Sequence, residues 1–160
     1  MILAIDPGCI ESAYVLLDPK DLKPVEFGKI ENSLLLEKIL YEFNFKELAI
    51  EMIDSFGMAV GKEVFETVFW IGRFWEAVIA ETNCCDKATK IYRQDEKLNL
   101  CGSKRAKDGN IRLSLIDRFA QHDLKNGKGT KDKPDWFYGF KADIWQAYAV
   151  AVTYCDNYRN

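Results

Sequence analysis

Apolar positions recur along this chain in two periods, and the changes between them mark its elements. Residues 2–5 are an unbroken apolar run that meets Asp6 and stops at Pro7-Gly8, the pattern of a first strand buried on both faces. Segments 12–18 (SAYVLLD) and 24–30 (PVEFGKI) predict a second and third strand, joined through the turn residues Asp18-Pro19-Lys20-Asp21 as an antiparallel meander. Leu35, Leu36, Ile39, Leu40 and Phe43 follow at helical spacing, behind a cap at Asn32 or Ser33. Segment 47–53 (ELAIEMI) returns as a strand, with Glu51 near its end. A meander, a helix and a further strand make an α+β or mixed-sheet pattern.

The longest helical pattern covers residues 60–82. Val64, Val68, Ile71, Trp75 and Val78 fall on one face, while Phe65, Phe69, Trp70 and Phe74 widen the apolar surface beyond a single stripe. That excess predicts a second covered face, by self-association or by the protein's own core. Segment 87–92 (KATKIY) reads as a fifth strand, with a short helix at 95–100 after it. Residues 102–109 are a basic turn, and Asn110 is a candidate cap for a helix that turns Ile111, Leu115, Ile116 and Phe119 inward. Residues 123–138 are polar, glycine-punctuated and lysine-rich, and are equally read as a mobile loop. Trp136, Phe137 and Phe140 then anchor a last helix over 141–158, whose Ala147, Ala149 and Ala151 let it lie close to a sheet. No repeat or linker divides the chain, so residues 1–160 are expected to form one domain.

Composition excludes more than it selects. Apolar residues at 48% and charged residues at 29% are ordinary for a globular protein. No apolar run reaches the ~18 residues that span a bilayer, and a cytoplasmic location is expected. Five scattered cysteines without a CxxC pair argue against a zinc site or disulfide scaffold. Charge is more telling in its distribution than in its total of −3. Residues 87–141 hold 14 Lys and Arg against 7 Asp and Glu, while the remainder hold 8 against 18. A polyanion responds to such a local field rather than the net charge, although a solvated basic face has the same composition.

Three acids stand at the ends of separate elements: Asp6 and Glu51 on strands, and Asp143 in the first turn of the last helix. An unpaired carboxylate is costly inside a buried strand, which places Asp6 at the rim of a cleft. Taken singly, Asp6 is also a turn or cap residue, and Asp143 also complements a helix N-terminus. Taken together, without His or Cys, they make a hard-oxygen site for Mg²⁺, with Mn²⁺ as a substitute. Sites of this kind often hold two ions about 4 Å apart and hydrolyse phosphodiesters. Gln146 lies three residues after Asp143 on the same side of the helix. The lone His122 has no evident acid partner and reads as structural or exposed, and no Walker or Gly-x-Ser-x-Gly motif is present.

Ile2-Leu-Ala-Ile-Asp-Pro-Gly8 followed by Tyr14 resembles the opening of RuvC-type Holliday junction resolvases, which have the RNase H-like fold. Leu48-Ala-Ile-Glu51 is similar to their second strand-end acid. Ala142-Asp143 with Ala147-Tyr-Ala-Val-Ala-Val152 is similar to their acidic final helix, and Ile71-Gly-Arg-Phe74 to their dimerisation helix. The resemblance runs in order over nearly the whole chain, and its compact form is similar to RuvC-like proteins of lactococcal phages. It implies an α/β fold with a mixed five-stranded sheet flanked by helices. It also implies a homodimer through helix 60–82 and a Mg²⁺-dependent endonuclease for branched DNA, in the host cytoplasm if phage-encoded.

Two departures stand out. Ala13 and Val15 replace the glycines that usually flank the tyrosine, a change expected to affect packing rather than chemistry. Gln146 aligns with the family's fourth acid, so a catalytic and metal-binding set of Asp6, Glu51, Asp143 and Gln146 carries one negative charge fewer. The resemblance further assigns Phe56 to stacking at the junction centre, worth about 1–3 kcal/mol, and Lys104, Arg105 and Lys107 to phosphates. Lys131 and Lys133 are possible additions. The rival expectations are an RNase H-like nuclease for forks, flaps or RNA–DNA hybrids, and a junction-binding protein whose catalysis is weakened by Gln146. An actin-like kinase fold needs more chain and a second glycine-rich loop.

Overall fold

The computed structural model describes residues 1–54, 57, 59–81 and 87–159. Its strands are β1 (Ile2–Asp6), β2 (Glu11–Leu17), β3 (Pro24–Glu31), β4 (Glu47–Met52) and β5 (Lys87–Tyr92). They form one mixed sheet in the order β3-β2-β1-β4-β5. β1 to β3 are the antiparallel meander read from the sequence, and β4 and β5 join parallel to β1. The described residues also form five α-helices: α1 (Asn32–Tyr41), α2 (Lys62–Glu76), α3 (Arg93–Cys101), α4 (Asp108–Phe119) and α5 (Ile144–Asn157). This is the expected α/β architecture with a five-stranded mixed sheet flanked by helices.

Strand alternation sorts the core into two layers. Ile2 and Ala4 of β1 and Ala49 of β4 face α5, while Leu3, Ile5, Leu48 and Ile50 face α1 and α2. α5 is buried at ten of its fourteen residues, from Ile144 to Tyr154, because the sheet covers one side and α3 and α4 cover the other. A helix covered all round has no polar face, and its fully buried Ala147, Ala149 and Ala151 keep it close to the strands. Ala13 and Val15, where glycines were the family expectation, are buried in this same layer. Tyr14 between them points to the other layer, packs on Phe43 and donates to Glu26.

Several element boundaries differ from the sequence expectation. Asn32 caps nothing: Ser12 Oγ donates to its Oδ1 at 2.6 Å, and its Nδ2 donates to the Gly8 carbonyl at 2.9 Å. The Gly8 N–H in turn donates to Ser12 Oγ, so a buried polar clamp fixes the turn after β1. A side chain at Gly8 would collide with the Glu11 carbonyl, which makes glycine necessary there. Asn110 lies inside the first turn of α4, where its Oδ1 accepts from the Lys107 N–H. α5 begins at Ile144 rather than 141, since Ala142 takes a positive φ of 36° and Asp143 precedes the helix.

α2 is rotated from the expected phase. Thr67, Ile71 and Phe74 are its buried residues, and Ala77 and Val78 continue the stripe into a π-helical turn, Ala77–Glu81. Val68 is exposed rather than inward, together with Phe65 and Phe69. So many apolar residues stand on this helix that periodicity alone left its phase undetermined. Thr67 is tolerated inside because its hydroxyl donates to the Glu63 carbonyl at 2.8 Å.

The lysine-rich segment before α5 is ordered by two aspartates. The Asp135 carboxylate accepts the backbone N–H groups of Gln121, His122, Asp123 and Trp136 at 2.6–2.9 Å. Burial alone would push this acid up, but the four donors hold it far below the usual carboxylate range. Asp123 accepts from Gly129, Asn126 and Lys128, which also lowers it. Phe137 and Phe140 are fully buried beside Trp145 and Tyr148, as expected of anchors for the last helix.

Candidate active site

The site is set by parallel register. Ile5 pairs with Ile50, so the next residues, Asp6 and Glu51, stand side by side at the carboxyl ends of β1 and β4. Both share the parity of Ala4 and Ala49 and therefore point toward the α5 side. Two carboxyl groups placed side by side repel each other when both are charged. Asp6 is pushed up to about 9, first by burial and then by Glu51, with smaller contributions from Asp143 and Glu96.

Asp143, at the entrance to α5, faces the same cleft and accepts an ion pair from Lys29 Nζ at 2.7 Å. Lys29 is held protonated by that bond above all. It reaches the cleft from β3, and nothing in the alternation of that strand distinguishes it from a solvent-facing lysine. Asp6, Asp143 and Lys29 line a cleft of about 440 Å³ with the turn residues Pro7, Gly8, Cys9 and Ile10 and with Glu11 at the start of β2. The polar clamp of Ser12 and Asn32 thus holds one wall of the site.

Gln146 lies one turn along α5, and its Oε1 accepts from Arg93 Nη1 at 2.5 Å. Arg93 opens α3 directly after β5 and also binds Glu96 Oε2 at 2.6 Å and Asp108 Oδ1 at 2.5 Å. Glu96 is wholly buried, and among the described residues its Oε1 has no hydrogen-bond partner. Burial first, then Glu51, pushes its carboxyl up to about 9 against the opposing pull of Arg93. Sequence reasoning missed both residues, because α3 (RQDEKLNLC) reads as a polar surface helix. Among the described residues, no three His, Cys, Asp or Glu side chains are grouped around a single ion position.

Lys104, Arg105 and Lys107 are exposed on the connection between α3 and α4. The Arg93–Asp108 pair ties the end of that connection to the acidic cluster. Lys131 and Lys133 are also exposed, beside the bridge between Gly129 and Pro134. Phe56 lies outside the described residues. His122 does have an acid partner: its Nδ1 is 3.5 Å from Asp135.

No family model matches the sequence, and no curated protein matches it. Solved structures do. The structure of T. thermophilus RuvC in complex with a Holliday junction substrate matches at a TM-score of 0.69 and 14% identity, covering 99% of this chain and 94% of that one. The Thermus thermophilus RuvC structure matches at 0.62 and 16%, covering 96% and 92%. Identities this low speak for architecture alone, and the chain has the RNase H-like fold of RuvC over nearly its full length.

Proposed function

We propose that this protein is a divalent-cation-dependent endonuclease that hydrolyses the backbone of branched DNA, four-way junctions above all. The observation that carries this is that Asp6 and Asp143 line one cleft, with Glu51 next to Asp6 across the parallel pair β1 and β4, in a fold shared with RuvC. Carboxylate oxygens are the donors that a hard divalent cation takes, and that chemistry supports the reading. Asp6 and Glu51 are neighbours across β1 and β4, and burial and then Glu51 push the Asp6 carboxyl up, so positive charge beside Asp6 relieves it. Asp6, Glu51 and Asp143 would hold Mg²⁺, or Mn²⁺ in its place. A bound divalent ion supplies Lewis-acid polarisation of a phosphate oxygen and eases deprotonation of water.

The chain's own residues do the rest. The clamped turn after β1 keeps Asp6 uncovered at the cleft. Lys29, paired with Asp143, offers a cation to an incoming phosphate. Lys104, Arg105 and Lys107 bind the DNA backbone away from the reacting phosphate, and Phe56 engages the junction centre. Two-fold pairing through the exposed Phe65, Val68 and Phe69 of α2 presents two clefts to two strands of a junction. No helix is long and apolar enough to cross a membrane among the described residues, and the cytoplasm, where DNA is available, is the proposed location.

The hold of Arg93 on Gln146 favours a second reading, a junction-binding protein of weakened catalysis. Nicking of a four-way junction in Mg²⁺ by wild type and Asp6→Asn decides between them. Nicking is expected to fall about a hundredfold or more with binding retained, the scale of losing one partner of a developing charge. Equal nicking by both proteins removes Asp6 from the site, and binding without nicking by wild type establishes the second reading. Fork, flap, duplex and RNA–DNA hybrid substrates in the same assay rank the preference.

A further inference from the structure

The loop between α4 and α5 gathers four lysines that the chemistry of the cleft leaves unused. Lys125, Lys131 and Lys133 are exposed and Lys128 is half-buried. Among the described residues, no acid forms an ion pair with any of the four. The two acids that shape the loop are occupied by its own backbone. Asp123 accepts the N–H groups of Asn126, Lys128 and Gly129, and Asp135 those of Gln121, His122, Asp123 and Trp136. Asp132 is the exposed acid on the lysine rim. Gly127 and Gly129 complete the scaffold at φ of 69° and 65°, where an added Cβ would meet Phe137 and the Lys133 carbonyl. A lysine-rich stretch left to itself repels and extends, so this scaffold holds the cations together against their repulsion. A polyanion that binds here does not have to order the backbone first.

The chain that follows this loop runs along β3 to the cleft. Pro134, Asp135 and Trp136 lie beside the exposed Lys23, Gly139 and Phe140 beside Phe27, and Asp143 beside Lys29. From Lys23 to Lys29 is roughly 20 Å of extended strand, the length of about six base pairs of duplex DNA. On its other side the loop is separated from the connection that carries Lys104, Arg105 and Lys107 by the length of α4, about 18 Å. We propose that the loop is a second contact surface for the DNA backbone, and that with Lys23 it grips the duplex arm leaving the cleft along β3. Its partner is phosphate rather than base edges, because lysines offer point charges without the fork that reads a base. This rests on the branched-DNA reading above.

The test is binding of a four-way junction in chelator, by wild type and by a variant carrying Lys125→Gln, Lys128→Gln, Lys131→Gln and Lys133→Gln. A second junction carries neutral methylphosphonates in its arms, from about the sixth to the tenth base pair from the branch. At about 0.1 M salt each lost phosphate contact is expected to weaken binding about eightfold and to lower the slope of log K against log salt by about 0.9. The variant is expected to lose at least two such contacts on the unmodified junction. On the neutralised junction it is expected to bind almost as wild type does, because the lysines there have no charge to meet. Lys46→Gln, an exposed lysine beside the start of β1, is expected to match wild type on both. An unchanged slope for the four-lysine variant, with Lys104→Ala, Arg105→Ala and Lys107→Ala together still impaired, overturns the loop surface and leaves the branched-DNA reading standing. An equal loss on both junctions also overturns it, since the lysines then act through the protein's overall field rather than on the arm. No junction binding by wild type at about 50 mM salt overturns the branched-DNA reading and this proposal with it.

Discussion

Asp135→Asn isolates what holds the segment that delivers Asp143 to the cleft. The change keeps the shape of the side chain and removes its charge. One carboxylate oxygen accepts from Gln121 and Trp136, the other from His122 and Asp123. An asparagine keeps one acceptor and turns an amino group toward the other pair of N–H donors. Two half-buried donors left without an acceptor cost about 1–2 kcal/mol each, and the remaining pair loses charge assistance, so roughly 2–4 kcal/mol is expected. For a chain of this length that is a fall of roughly 5–15 °C in Tm. Urea unfolding followed by circular dichroism at pH 7 measures it, as a lower midpoint at unchanged slope.

The pH dependence has a definite sign. Asp135 is held below its unfolded value of about 3.9, so its contribution is complete above that pH and is lost as pH falls toward the folded value. The gap between wild type and variant is therefore constant from pH 7 to about 5 and narrows below about 4. A loss under about 1 kcal/mol at pH 7, or a gap that stays the same from pH 7 to pH 3, refutes the assignment of stability to these four bonds.

Further outcomes follow from the other contacts. Arg93→Ala strands Glu96 as a buried unpaired acid and is expected to cost about 3–5 kcal/mol, most of it recovered by adding Glu96→Gln; no recovery in urea titrations shows that the loss has another origin. Replacing Lys104, Arg105 and Lys107 by Ala lowers the slope of log K against log salt for junction binding by about 0.9 per lost phosphate contact. An unchanged slope removes this connection from the interface. Phe65→Glu with Phe69→Glu changes two exposed residues of α2, so sedimentation is expected to show a folded monomer in place of a dimer. A wild type that is itself monomeric at micromolar concentration refutes the α2 interface.

Much of the fold was legible because short-range patterns report burial directly. The apolar run before Asp6, the alternation of the meander and the small residues of α5 each imply a covered surface, and the strands stand where those patterns put them. The places of Asp6, Glu51 and Asp143 at element ends were legible for a related reason, since acids beside buried runs are costly and conspicuous. α2 was not, because a helix apolar on most sides has no preferred phase until neighbours choose one. They chose Thr67, Ile71 and Phe74, leaving Phe65, Val68 and Phe69 outside.

Other features belong to contacts between residues far apart in the chain, for which local composition carries no signal. Asn32 has the chemistry of a cap and serves as a clamp, because the turn after β1 lies against it. Asp123 and Asp135 look like loop residues until the folded backbone brings N–H groups around them. Glu96 sits in a polar run typical of a solvated helix, yet the pairing of β4 with β5 and the covering of α5 close water out around it. The sequence by itself determined the strand order of the meander, the layer that each strand residue faces and three acids at element ends. Only the tertiary structure decided which polar groups lose their water, as Glu96 does beside Arg93, and which distant residues meet, as Lys29 and Asp143 do at the cleft.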